Sequence, residues 1–95
     1  MPYIKKEIRK KIDIPLAKLE QAIRDLYPEN SVQDTDGIVN YCIFKLCKNI
    51  YGRGGTSYYL YNRMMGVLES CKQELYRQLV APYEDKKIIE NGDTG

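Results

Sequence analysis

The sequence contains neither histidine nor tryptophan, and only one of its 95 residues is phenylalanine. Its three cysteines, Cys42, Cys47 and Cys71, are odd in number and form no CxxC pair. Because protein zinc sites use closely spaced cysteines and histidines, we expect no metal site and no cofactor. Each cysteine lies in an apolar helical context, where a free thiol acts as a small hydrophobe and persists in a reducing compartment.

The chain also lacks long apolar runs and a strong charge imbalance. No run approaches the ~18–20 residues of a membrane-spanning helix, and no signal-peptide pattern opens the chain, so we expect a cytoplasmic protein without membrane contact. Fifteen basic and thirteen acidic residues give a net charge of +2, so nucleic acid is not an expected partner. Five cations near the amino end most simply form a solvated helix face: Lys5, Lys6, Arg9, Lys10 and Lys11.

Apolar residues recur at helical spacing along the chain, and no strand-like alternation occurs. This pattern predicts an all-α fold in a single domain over residues 1–95, a small helical bundle of about three main helices. The predicted segments are a basic arm over 3–12, main helices over 14–27, 38–51 and 57–80, and a short helical tail over 82–95.

Polar residues and prolines mark the expected helix ends. Asp13 is a candidate N-cap for the first main helix. Pro82 is expected to end the longest helix or to start a short new one, which Gly92 closes. The helix over 38–51 carries few charges, so we expect most of its circumference to be buried.

The longest predicted helix favours self-association. Its roughly 24 residues span ~36 Å, which is more than either partner helix can cover. Four large side chains flank its apolar stripe and could face a second subunit: Tyr58, Tyr61, Met65 and Tyr76. A domain of this size buries only about 60–65% of its unfolded surface, so we expect a homo-oligomer.

A glycine- and arginine-containing loop precedes that helix, within residues 51–63 (YGRGGTSYYLYNR). Glycines let backbone N–H groups face a ligand, and a helix start adds unpaired N–H groups with partial positive charge. Arginine grips phosphate and tyrosine stacks on bases. We therefore predict a nucleotide-binding site in which Arg53 and Arg63 neutralise the phosphate and Tyr58 or Tyr59 stacks on the base. Four backbone amides surround the phosphate, those of Gly54, Gly55, Thr56 and Ser57. Tyr83, Lys86 and Lys87 of a neighbouring chain could close the pocket.

The same loop has a simpler interpretation as a plain interhelical connection. In that case Gly52 follows the end of one helix and Ser57 is the N-cap of the next. The GxxxxGK[ST] spacing of a P-loop is absent, and no strand precedes the glycines as a dinucleotide-binding turn requires. The nine tyrosines suit either a protein interface or a ligand contact.

The carboxylates do not form a catalytic pattern. All-α nucleotide pyrophosphohydrolases hold magnesium with regularly spaced acidic residues on helix faces. Here the longest helix offers Glu69 and Glu74, five residues apart and on different faces, so no pair can be placed about one metal. We expect no enzymatic activity and no catalytic residue, and a metal-dependent phosphohydrolase ranks last among the function classes.

Both ends of the chain carry distinctive sequences: the opening Met-Pro-Tyr-Ile and, over about the last thirty residues, GVLE, ELYR, APYEDKKI and ENGD. On these sequences the chain resembles an uncharacterised family of small helical proteins from bacteriophages and prokaryotes. The resemblance supplies no activity for individual residues. Since such proteins occur in bacteriophages and in prokaryotes, the expected location is the cytoplasm, which is the host cytoplasm if the protein is phage-encoded.

A phage origin suggests, by analogy, a function that needs tight binding and no chemistry. Small oligomeric helical phage proteins include "sponges", which capture cyclic nucleotide or ADP-ribose signals of bacterial immunity. The leading hypothesis is a non-enzymatic protein that sequesters such a nucleotide-derived signal. The alternative is a protein–protein interaction module that binds a host or phage protein through a tyrosine-rich helix face.

Overall fold

The structure is a computed structural model that describes residues 3–26, 32–52 and 57–92. Within these ranges all regular structure is helical and no strand is present, which confirms the all-α prediction. The elements are α1 (Lys6–Leu26), α2 (Val32–Tyr51), α3 (Tyr58–Leu75), a π-helical segment (Tyr76–Val80) and α4 (Ala81–Asn91). The chain divides into two compact units, one within residues 3–56 and one from residue 57 onward.

Helix α1 unites the predicted basic arm and the first main helix. It starts where the Lys5 carbonyl accepts hydrogen bonds from the N–H groups of Ile8 and Arg9, each at 3.1 Å. The prediction of a new helix at Asp13 is wrong, since Asp13 lies inside α1. The four-residue apolar spacing runs unbroken through this point, so the helix continues. Pro15 also lies inside the helix, where its missing N–H leaves the Lys11 carbonyl without its usual helical donor.

Helix α2 contacts α1 within the first unit. It begins at Val32, earlier than predicted, and ends at Tyr51 as predicted. Gly52 follows directly and donates its N–H to the Lys48 carbonyl at 2.9 Å. A Cβ at Gly52 would lie 2.5 Å from that carbonyl oxygen, so only glycine fits without a shift of the backbone. This agrees with the prediction that Gly52 follows the helix end.

The second unit contains one continuous helix of 34 residues, Tyr58 to Asn91, which we call the long helix. The predicted break at Pro82 is wrong. The N–H of Ala81 donates to the Tyr76 carbonyl, five residues earlier, so the turn just before Pro82 is widened. A widened π turn accommodates proline, which would otherwise clash with the carbonyl four residues before it. Gly92 closes the helix as predicted, with φ of 86° and its N–H bonded to the Ile88 carbonyl at 2.8 Å.

None of the described side chains is fully buried. The prediction that α2 is largely buried is therefore wrong, and Leu46, for example, is 64% exposed. In the long helix the predicted apolar stripe divides into half-buried Leu60, Met64 and Leu68 and a set of exposed residues: Val67, Cys71, Leu75 and Leu79. Low charge density in a helix sequence thus did not identify a buried helix.

Candidate functional site

The amino end of the long helix is capped by its own chain. Ser57 has extended backbone angles, and its Oγ accepts a hydrogen bond from the Leu60 N–H at 3.2 Å. This confirms Ser57 as the N-cap, and it means that one of the helix-start donors is already bonded. Four residues of the predicted phosphate site, Arg53, Gly54, Gly55 and Thr56, lie outside the described residues.

Two of the predicted ligand-binding residues form a pair at this end. The Arg63 Cζ lies 5.6 Å from the centroid of the Tyr59 ring, because residues four apart share a helix face. Such a cation–π contact orients the guanidinium over the ring. Tyr59 is 70% exposed, so the pair presents a cation and an aromatic face to solvent. Tyr58, also exposed, is one residue earlier and therefore lies about 100° around the helix from Tyr59.

A second cation–π pair lies near the other end of the long helix. The Lys87 Nζ is 5.5 Å from the Tyr83 ring centroid and 3.2 Å from the Glu90 Oε2. Lys86, the neighbouring residue, is exposed. Tyr83 follows Tyr59 by 24 residues, which places the two pairs ~36 Å apart along one helix axis. One copy of the long helix therefore does not bring the two predicted residue groups together.

The π segment carries a contact that sequence reasoning missed. The Tyr76 hydroxyl donates a hydrogen bond to the Glu84 Oε1 at 2.8 Å. This bond, with the negative charges of Glu84 and Asp85, raises the pKa of Tyr76. Residues eight apart are not a standard helical pair, and the contact spans the widened turn before Pro82. The sequence signal for it is Pro82, six residues after Tyr76.

An apolar groove runs along the middle of the long helix. It is lined from Arg63 to Leu79, with Val67, Cys71 and Leu75 between them. Gly66, Ser70, Glu74 and Gln78 also line it, and a Cβ built on Gly66 would meet no atom within 4 Å. The groove is therefore wide enough at Gly66 for a close neighbour. Sequence reasoning treated this part of the longest helix as an apolar stripe and did not predict an open groove.

Glu69 and Glu74, in the middle of the long helix, are bonded to side chains of the same helix. Glu69 accepts from the Gln73 Nε2 at 3.3 Å and pairs with the Lys72 Nζ at 3.3 Å, and these contacts lower its pKa. Glu74 accepts from Arg77 at 2.6 Å and also from Gln78. Across the described part of the chain, no group of three or more cysteines or carboxylates could hold a metal ion.

Comparison with known proteins identifies the family. Residues 1–94 match the family described as Domain of unknown function (DUF6899), and the chain belongs to this family. No curated protein and no solved structure matches the chain. Among the helices of the described residues, none is long and apolar enough to cross a membrane.

Proposed function

We propose that this member of the DUF6899 family is a non-enzymatic interaction module that binds protein surfaces through the apolar, tyrosine-bearing face of its long helix. The observation that supports this proposal is the exposure of large apolar side chains along the whole described helix. Met65 and Leu79 are each 64% exposed, Tyr58 is 86% exposed and Ile89 is 85% exposed.

Such exposure is costly in water. Apolar surface that leaves water gains about 25 cal/mol per Å², and proteins rarely leave contiguous apolar surface uncovered unless it binds something. Tyrosine suits a binding face, because its ring offers wide apolar contact while its hydroxyl stays polar. Five tyrosines lie along the long helix: Tyr58, Tyr59, Tyr61, Tyr76 and Tyr83.

Site-specific photo-crosslinking in cells tests this proposal. A photo-activatable phenylalanine analogue is placed at Met65, which shares a helix face with Tyr58 and Tyr61. A matched control carries it at Arg77, which lies about 120° around the same helix from Met65. The two positions are similarly exposed, at 64% for Met65 and 66% for the Arg77 side chain. We expect protein adducts from position 65 and few from position 77. Equal yields at both positions, or none at position 65, would contradict the proposal.

A second candidate function is the capture of a nucleotide-derived immune signal, as in a phage sponge. The Tyr59–Arg63 pair favours it, since an exposed ring beside a guanidinium suits a base and a phosphate. The Ser57 cap is adjacent, and the predicted phosphate-binding residues 53–56 immediately precede it. In this function no bond of the ligand is broken, and the protein acts by lowering the free ligand concentration.

Thermal-shift measurements separate this candidate from the first. A cyclic nucleotide at 100 times its dissociation constant should stabilise the protein by about 2.7 kcal/mol. Arg63→Ala should abolish the shift, whereas Lys72→Ala, which removes another exposed cation of α3, should retain it. If no cyclic nucleotide or cyclic ADP-ribose isomer shifts the transition, this candidate is wrong and the interaction module is favoured.

A further inference from the structure

We propose that a second copy of this chain covers the long helix. The two long helices pair in antiparallel orientation along the groove centred on Cys71. This inference rests on the proposed interaction function and names its first partner. The antiparallel direction keeps the groove residues Arg63 and Glu74 of one copy from lying level with the same charges of the other.

Helix lengths give the first argument. The long helix has 34 residues and spans ~51 Å, whereas α1 and α2 have 21 and 20 residues and span about 31 and 30 Å. Neither helix alone can cover the long helix from end to end. A second long helix has the required length, and every copy of the chain supplies one.

The distribution of apolar residues gives the second argument. They continue to the carboxyl end of the long helix, where Leu79 is 64% exposed, Tyr83 is 60% exposed and Ile89 is 85% exposed. A surface that is apolar over such a length matches a partner helix better than a small ligand. Glycine at position 66 and serine at position 70 let another helix backbone approach the groove closely.

Charge gives the third argument. The long helix carries five basic and five acidic residues, so its net charge is zero: Arg63, Lys72, Arg77, Lys86 and Lys87 against Glu69, Glu74, Glu84, Asp85 and Glu90. Two identical copies therefore meet without net repulsion. A strongly acidic or basic partner would find no complementary field on this helix.

The groove defines the alignment. It extends from Arg63 to Leu79, with Cys71 at its midpoint. Symmetric dimers use the same patch on both copies, so a twofold axis at Cys71 makes the pairing self-complementary. Antiparallel pairing about this point places Leu79 of one copy level with Arg63 of the other. Tyr83 of one copy then lies level with Tyr59 of the other.

This alignment sets the Tyr83–Lys87 pair of one copy level, along the helix axis, with the Tyr59–Arg63 pair of the second, although the pairs are ~36 Å apart in one copy. Both pairs lie to the sides of the face that carries Cys71, so they remain outside the paired surface. Lys87 keeps its ion pair with Glu90 there.

Sedimentation equilibrium of two matched variants tests the interface. Leu79→Glu places a charge in the groove, and Leu26→Glu makes the same change at the end of α1, where the leucine is 65% exposed. We expect the wild type to have twice the chain mass of 11.1 kDa. Leu79→Glu should raise the dimer dissociation constant at least about 100-fold, and Leu26→Glu should change it little. Circular dichroism confirms that both variants remain helical.

Cysteine crosslinking tests whether the pairing is centred on Cys71. Its direction is tested by a single cysteine at position 79 with the three natural cysteines changed to serine, because antiparallel copies hold the two positions 79 about 24 Å apart, beyond a short crosslinker, whereas parallel copies hold them level. In a variant with Cys42→Ser and Cys47→Ser, Cys71 is the remaining thiol, and a short bismaleimide should link two copies efficiently. Variants that retain only Cys42 or only Cys47 should give little dimer. A wild type that stays at 11.1 kDa overturns the inference. A dimer without the Cys71 link overturns the pairing centred on Cys71, and an efficient link at position 79 overturns the antiparallel direction. If photo-crosslinks from position 65 to another protein persist in a monomeric protein, the proposed function stands while this inference fails.

Discussion

The two units of the chain reach a helical state by different means. In the first unit, α1 and α2 contact each other, and α1 has side-chain hydrogen bonds of its own, such as Gln21 to Asp25 at 2.7 Å. In the second unit, the long helix is stabilised from within by a serine cap, cation–π pairs, ion pairs and a glycine end. The comparison shows that local chemistry can specify a helix without covering its apolar side chains.

The two internal prolines sharpen this comparison. Pro15 lies inside α1 with regular helix on both sides, whereas Pro82 follows a widened π turn. The long helix therefore relieves the clash of its proline locally. Helix α1 shows no such widening, so its proline retains more of the cost that proline has in a helix interior.

The largest stability change is expected at Pro15. Pro15→Ala restores the missing N–H and removes the ring clash, which should raise the free energy of unfolding by about 2 kcal/mol after the gain in unfolded-chain entropy is subtracted. Urea denaturation followed by circular dichroism, at one fixed protein concentration, measures it. Destabilisation by this substitution would mean that α1 is not a continuous helix.

Pro82→Ala should stabilise the protein by less, about 1 kcal/mol, because the π turn already accommodates the ring. The same urea denaturation measures this change. The informative quantity is the ratio of the two increases in the free energy of unfolding, at Pro82 and at Pro15. A larger gain at Pro82 than at Pro15 would contradict the view that the widened turn relieves the proline.

Loss of the Ser57 cap should have a somewhat smaller effect. Ser57→Ala removes the acceptor for the Leu60 N–H and should destabilise the long helix by about 0.5–1 kcal/mol. Ser57→Asp is the control, since its carboxylate can also cap the helix and should retain most of the stability. Thermal denaturation of both variants beside the wild type gives the comparison, and equal stability of all three would show that the cap is unimportant.

The smallest expected effect concerns pH. The pKa of Tyr76 is raised by its hydrogen bond to Glu84, so this contact contributes below the ordinary tyrosine pKa and is lost as pH rises through the raised value. Phenolate absorbance should show one tyrosine that titrates later than an ordinary tyrosine. Tyr76→Phe should remove that late component, and Glu84→Gln should move it to lower pH. A late component that survives Tyr76→Phe would assign it to another residue.

Local features of the fold could be predicted from the sequence because they depend on neighbouring residues. The Ser57 cap and the helix ends at Tyr51 and Gly92 are of this kind. The continuity at Pro82 could not be predicted, since it depends on a bond from Ala81 to the carbonyl five residues earlier. Burial of the helix over 38–51 was predicted wrongly, because burial requires a partner surface that the sequence of one helix does not specify.

The same distinction between local and tertiary features applies to the candidate site. The four-residue spacing of Tyr59 with Arg63 and of Tyr83 with Lys87 is visible in the sequence, and each pair is formed. The groove between them depends on which face of the long helix stays uncovered. The exposure of a helix face is a tertiary property. Helical periodicity alone predicts that the residues of this groove form a core stripe.

Hydrogen exchange at several protein concentrations most directly tests the central claim that another protein surface covers the long helix. A helix paired with a second copy exchanges its amide hydrogens more slowly as dimer accumulates. The account predicts that protection over residues 63–79 rises with protein concentration and falls again in Leu79→Glu. Protection of this segment that is identical at all concentrations and unchanged in the variant would contradict it.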